Sequence, residues 1–261
     1  MKVKIISCWI SLLLFSGLSM AENRPAAKMD SQDSEKTPAW VINKMNEWVG
    51  TIHAPMLIKS TITAAGMKGT AEFYFLGKNS DTTWLTLTSF ESPTKYGFTV
   101  FKKKNAPQEA YFPSLKQRVY RYDILKNPSN VEKFMMNAPT DPCSYDEIAS
   151  FSEGMSVQKT QTGDYMLSIK VKPDDAMKAF GTKSMIFNVL VNPEGKSLES
   201  GMIANDGASV IVSTYTYPQT EINPQDIISK YVTPALSAPL MPNKSFDEAD
   251  SQAANIAQQK G

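Results

Sequence analysis

The chain predicts a mainly β fold with helices, of the α+β class, on three observations. From residue 54 onward apolar residues recur at every second position, the period of a half-buried strand. The alternating segments are separated by short polar turns rich in glycine, asparagine and aspartate. Strands do not alternate with long helices, which argues against a doubly wound sheet. Pattern counting gives about ten strands, one early helix and a helical insertion in the middle, and leaves a sandwich or a curled, partly open antiparallel barrel.

The chain begins with an export pattern. Lys2 and Lys4 precede an apolar run, Ile5 to Phe15, and Ser19-Met20-Ala21 places small residues at a cleavage site. Residues 1–21 therefore read as a signal peptide cleaved after Ala21, which points to the periplasm. Residues 22–37 are polar and unpatterned and read as a flexible leader. Pro38 opens a helix whose apolar face carries Trp40, Val41, Met45, Trp48 and Val49.

Strands are predicted over 55–64, 70–76, 82–89, 96–103 and 117–124, with Ala110 to Ser114 an edge or an approach to a turn, because Pro113 cannot donate to a ladder. Residues 131–136 and 144–151 read as helical, and Ser144 with Glu147 has capping-box spacing. Strands resume at 155–159 and 165–172, a short helix-like piece covers 173–180, and 184–191, 196–204 and 209–217 form a meander. Asn223 caps a helix over 224–232. Beyond Pro242 the chain reads as a polar tail with some helical tendency. The helices at 38–49 and 131–151 are the expected cover for one face of the sheet.

Composition excludes several functions. Twenty-seven basic and twenty-six acidic residues give a net charge of +1, and loss of Lys2 and Lys4 by cleavage leaves −1, so nucleic acid is not an expected partner. With one histidine, His53, a multi-histidine metal site is ruled out and a nucleophilic triad would need a chance meeting with Cys143 or a serine. No phosphate loop, dinucleotide fingerprint or nucleophile elbow occurs, and no catalytic set or cofactor is expected. Acidic pairs such as Asp146-Glu147 sit at helix starts, where the dipole justifies them. Cys143, alone after cleavage, reads as a small buried hydrophobe. Lys102-Lys103-Lys104 reads as a solvated strand end or as a contact for a lipid headgroup or an acidic partner. Most methionines read as core filling, but Met135-Met136 beside Phe134 lie on the helical insertion and fit an adaptable apolar surface.

The segment YFPSLKQRVYRYD (111–123) holds two of the chain's three arginines. Alternation places Arg118, Tyr120 and Tyr122 on one side and Val119, Arg121 and Asp123 on the other. An arginine on an apolar face needs acceptors, which carbonyls of a covering helix or an acidic side chain would supply. The arginines therefore read as plain surface residues or as a latch between sheet and lid.

SFESPTKYGFTVFKKK (89–104), AYFPSLKQRVYRYD (110–123) and FMMNAPTDPCSYDEI (134–148) together resemble the LolA-like outer-membrane lipoprotein-sorting family. The matching positions are Pro93, Lys95 and Gly97; Tyr111, Pro113, Lys116, Arg118 and Arg121; and Phe134, Ser144, Tyr145 and Glu147. The chain departs from the family pattern at Asn137 to Pro142, which has two prolines and no glycine, and at Cys143, where an aromatic is usual.

The resemblance implies an unclosed antiparallel β-barrel of about ten strands, covered by a helical lid, with residues 38–240 as the lipid-binding domain and 241–261 as the tail. It implies a monomeric, non-enzymatic periplasmic carrier of lipoprotein acyl chains or lipids, with an inner-membrane transporter and an outer-membrane acceptor as candidate partners. A sensor or adaptor of the same fold, engaging a membrane protein, is the alternative. The ligand site and lid are assigned to Phe73, Phe75, Trp84, Arg118, Tyr120, Arg121, Phe134, Met135, Met136 and Tyr145.

Overall fold

A computed structural model describes residues 36–64, 66–92, 94–122, 129–136, 140–175, 181–207 and 209–259. The expected signal peptide and nearly all of the leader, together with Pro93, Asp123 and Ile124, lie outside the described residues.

Eleven strands form one antiparallel, unclosed sheet in the order β6-β5-β4-β3-β2-β1-β11-β10-β9-β8-β7. They are β1 (Met56–Ala64), β2 (Met67–Phe75), β3 (Thr82–Ser92), β4 (Tyr96–Lys103), β5 (Gln108–Phe112), β6 (Gln117–Tyr120), β7 (Ser152–Lys159), β8 (Tyr165–Val171), β9 (Met185–Val191), β10 (Ser197–Ala204) and β11 (Ser209–Thr216). The strand that pattern reading did not count is β5. Asn105 takes a left-handed φ of 57° and lets the chain reverse after β4, so Gln108 to Phe112 pairs back on it. Pro113 stands just outside the ladder, in the turn where the Leu115 amide donates to the Phe112 carbonyl.

The chain divides into two compact units, and each is described by itself. In the first, built from His53–Asn127 and Thr216–Gly261, β1 to β6 present two faces. One face carries Ile58, Phe73, Trp84, Phe98 and Phe112, all buried. The other carries Leu57, Tyr74, Leu85 and Phe101, which pack with Val232 and Ala235. The last two belong to a continuous helical run: α4 (Pro224–Ile227), a π-helical turn over Ile228–Val232, and α5 (Thr233–Leu236). Asn223 caps it, its side chain accepting from the Gln225 amide at 3.0 Å. The run continues beyond the expected end at 232 through the π-helical turn, in which the Thr233 amide donates to the Ile228 carbonyl five residues back, and Pro234 follows directly after that wider turn.

The segment expected as a polar tail contains a helix, α6 (Phe246–Gln258). Ser245 and Glu248 close a capping box, satisfying donors at its start. Phe246, Ala249, Asp250 and Ala253 share its buried stripe, which packs against β4, β5 and β6. The small alanines let the helix lie close to the sheet, and this is why a sequence of low mean hydropathy still docks.

The second unit holds α1 (Pro38–Gly50), α2 (Asn130–Met136), α3 (Tyr145–Phe151) and β7 to β11. Thr37 caps α1, and Pro38 begins it as expected. The helix packs on β7, β8 and α3, with the Trp40 ring edge-on to Tyr165 at 4.9 Å. Gly195, in the β9–β10 turn with φ 95°, allows this approach: a β-carbon there would fall 2.1 Å from the Lys44 carbonyl oxygen. The predicted capping box of Ser144 and Glu147 starts α3. Phe134 of α2 packs on Phe151 and Phe187, with ring centroids at 5.5 and 6.0 Å.

Candidate functional site

The segment that follows the helical run straps the edge of the sheet in the first unit. Residues 238–241 run beside β6: the Arg118 amide donates to the Pro239 carbonyl at 2.9 Å, and the Met241 amide donates to the Arg118 carbonyl at 2.8 Å. The bridge between Arg118 and Leu240 is parallel. The exposed ladder of an edge strand is thus occupied by the chain's own C-terminal segment.

The two arginines reach this strap from opposite faces, as their alternation implies. The Arg118 side chain lies with Glu109 and Tyr111 on the face covered by the helical run. Its Nε donates to the Ala238 carbonyl at 2.9 Å, and its Nη1 pairs with the Glu109 carboxylate. Glu109 is buried, so the charge-assisted pair sits where solvent screens it little. Arg121 lies on the other face beside Val119. It is 4 % exposed, and its guanidinium lies 4.0 Å above the ring of Phe246 in α6. One arginine therefore bonds the strap and the other stacks on its helix.

Phe246 completes an aromatic cluster. Its ring meets Phe98 edge-on at 5.2 Å and Phe112 at 5.3 Å, while Phe98 and Phe112 are 5.3 Å apart. One turn further along α6, the Tyr96 hydroxyl donates to the fully buried Asp250 carboxylate at 3.4 Å. Burial, and then the adjacent Asp250 charge, push the Tyr96 phenol above its ordinary range, so it stays a neutral donor.

A cavity of about 820 Å³ opens at the end of this helix. It forms because β5 stops at Phe112 and turns through Pro113 and Ser114, while β4 begins further back at Tyr96. Its lining is drawn from both faces of this strand end: Leu87 and Tyr231 from the face of the helical run, Phe98 and Ile256 from the face of α6, with Thr88, Lys95 and Ser114 beside them. Gly97 lines it too, where a β-carbon would fall 2.4 Å from the Thr88 carbonyl oxygen. Strand pairing is so close at that point that only glycine fits.

Among the assigned site residues whose side chains are described, none lines this cavity. Phe73, Phe75 and Trp84 are buried together on one sheet face, with the Phe73 and Trp84 rings 5.7 Å apart. Arg121 is on that same face, whereas Arg118 and half-buried Tyr120 are on the other. Phe134 is packed in the second unit, and Tyr145 there is 41 % exposed. The Met135 and Met136 side chains lie outside the described residues. What the sequence reading missed is α6. The signal was present: Ser245 and Glu248 have the same capping-box spacing as Ser144 and Glu147, and Phe246, Ala249, Asp250 and Ala253 recur at three- and four-residue steps.

His53 is exposed, and Cys143 is half-buried. The Asn46 side chain bonds both backbone groups of Cys143, at 2.7 and 2.9 Å, and burial pushes its thiol up to about 11. That environment makes a poor nucleophile.

No family model matches the chain, and neither does any curated protein. Distant similarity to solved structures exists. The Pseudomonas aeruginosa MucA/MucB complex is similar over 72 % of this chain at 12 % identity and a TM-score of 0.40; the match takes in 59 % of that structure's chain, so this chain spans about three fifths of it. A LolA superfamily protein from Nitrosomonas europaea is similar at 11 % identity and a TM-score of 0.33, covering 76 % of this chain and 99 % of that one. The Mycobacterium tuberculosis lipoprotein LppX is similar at 8 % identity and a TM-score of 0.32, covering 72 % and 99 %.

Proposed function

We propose that this chain is a periplasmic carrier, not an enzyme, that takes a lipoprotein acyl chain or another lipid into an apolar cavity and conveys it toward the outer membrane. The observation that carries this reading is the cavity of about 820 Å³ at the end of α6, with Leu87, Phe98, Tyr231 and Ile256 among its lining residues. An acyl chain gains about 0.8 kcal/mol per buried methylene, so a few methylenes already give useful retention. The export pattern of residues 1–21 and the motif resemblance of segments 89–104, 110–123 and 134–148 support the same reading. The strap supplies a route for release, because α6 and residues 238–241 form one wall and one edge that are joined to the sheet by two arginines and one aromatic cluster.

Native mass spectrometry of the protein purified from its own envelope tests this. A defined lipid adduct is expected. A lipid-free mass, under conditions that retain lipid on a control carrier, would overturn it. A second reading, an adaptor that engages a membrane protein, is favoured by one observation: the β6 edge already accepts an extended segment, residues 238–241. In that case the same spectrum would show a bound polypeptide and no lipid.

A further inference from the structure

The described part of the cavity wall has a single formal charge. Among the described residues lining it, Lys95 is the only one charged at neutral pH, and no lining residue is acidic. Lys95 is exposed at the start of β4 and makes no ion pair among the described residues. Thr94, which is buried, and exposed Gln258 also line the cavity, as do Phe98 and Ile256.

We propose that this cavity selects a single-chain amphiphile with a monoanionic head, a long-chain carboxylate, whose head pairs with Lys95. The inference rests on the reading of the cavity as a chain-binding site. Three features lead to it. The volume of about 820 Å³ lies within the range of pockets that enclose one small ligand, roughly 300–1,000 Å³, which suits one chain. One ammonium is a compact point charge that balances one negative charge, whereas a phosphate monoester carries nearly two at neutral pH. The third is the end of α6. Its last residues, Ile256 to Gln258, line the cavity, and the carbonyl end of a helix repels an anion. Recognition of a carboxylate head is thereby made to depend on Lys95 alone, and without it the site should favour a neutral head.

The test compares dodecanoate with 1-dodecanol, each below its aggregation limit, by displacement of a fluorescent apolar probe from the full chain. The unaltered chain should bind dodecanoate about threefold more tightly than dodecanol, the order of one solvent-exposed ion pair. Lys95→Gln should weaken dodecanoate far more than dodecanol and drop it below dodecanol, reversing the preference. Equal affinity for the two ligands, or an equal loss of both in Lys95→Gln, would overturn head selection while leaving the carrier reading in place. Failure of either ligand to displace the probe would overturn both.

Discussion

Replacing Phe246 by alanine should detach α6 from the sheet. The side chain is 4 % exposed, meets Phe98 and Phe112 at ring distances of 5.2 and 5.3 Å, and supports the Arg121 guanidinium at 4.0 Å. Truncation of a buried phenylalanine costs about 3–5 kcal/mol, a figure that already includes the lost ring packing. Loss of the cation–π contact adds about 0.5–2 kcal/mol, because Arg121 is itself buried. The helix has 13 residues, a length at which an isolated helix is marginal in water, so docking is what keeps it formed. A loss of about 3 kcal/mol should lower amide protection in α6 by on the order of a hundredfold. Hydrogen exchange read by mass spectrometry reports this segment by segment, with α1 as the internal control. Phe246→Leu keeps most of the apolar area and should lose less. Unchanged protection in α6, or an equal loss in α6 and α1, would refute the reasoning that this ring anchors the strap.

Glu72 should contribute stability that acid removes. Burial, the largest influence, raises its pKa, but the Tyr74 hydroxyl at 2.7 Å and Lys59 at 3.0 Å outweigh it and hold the carboxyl below its ordinary 4.5. A lowered folded pKa means the contribution is full above about 4.5 and fades as pH falls through the folded value, so Glu72→Gln should flatten the acid limb of a melting-temperature profile. The Cys143 thiol, pushed up to about 11 by burial, should react with iodoacetamide at pH 8 far more slowly than in denaturant, with a rate that climbs toward pH 11; a native rate matching the denatured one would contradict that environment. Gly97→Ala should cost about 1–3 kcal/mol in urea unfolding, because the 2.4 Å approach is to a backbone oxygen that cannot rotate away; a neutral substitution would show that the strands there separate easily.

Much of the fold was legible because its signals are local. Alternation located ten of the strands, and side-chain chemistry located the starts of α1, α3 and α4 at Pro38, Ser144 and Asn223. The fifth strand was hidden because Pro113 dominates its neighbourhood, although the proline falls one residue beyond the last paired position. Helix α6 was hidden for a different reason. Its buried stripe is one phenylalanine, two alanines and an aspartate, so its sequence resembles a solvated tail, and its stability comes from close packing on β4 to β6. The arginine segment was readable in part: alternation gave opposite faces, and the need for acceptors gave a tie to a cover. What alternation could not supply was the identity of that cover, because Ala238 and Phe246 lie more than a hundred residues away. The cavity followed the same rule. Ile256 joins Lys95 and Tyr96 only through the docking of α6.

The central claim is that the space beside the end of α6 receives a hydrocarbon chain. Photo-cross-linking with a dodecyl chain bearing a terminal diazirine tests it most directly. Adducts are expected in two peptides, one spanning residues 94–99 and one spanning 256–258, with competition by unlabelled chain and loss on Ala257→Trp, which places a bulky ring in the lining. Adducts scattered over other surfaces, or undiminished by competitor and by the filling substitution, would contradict it.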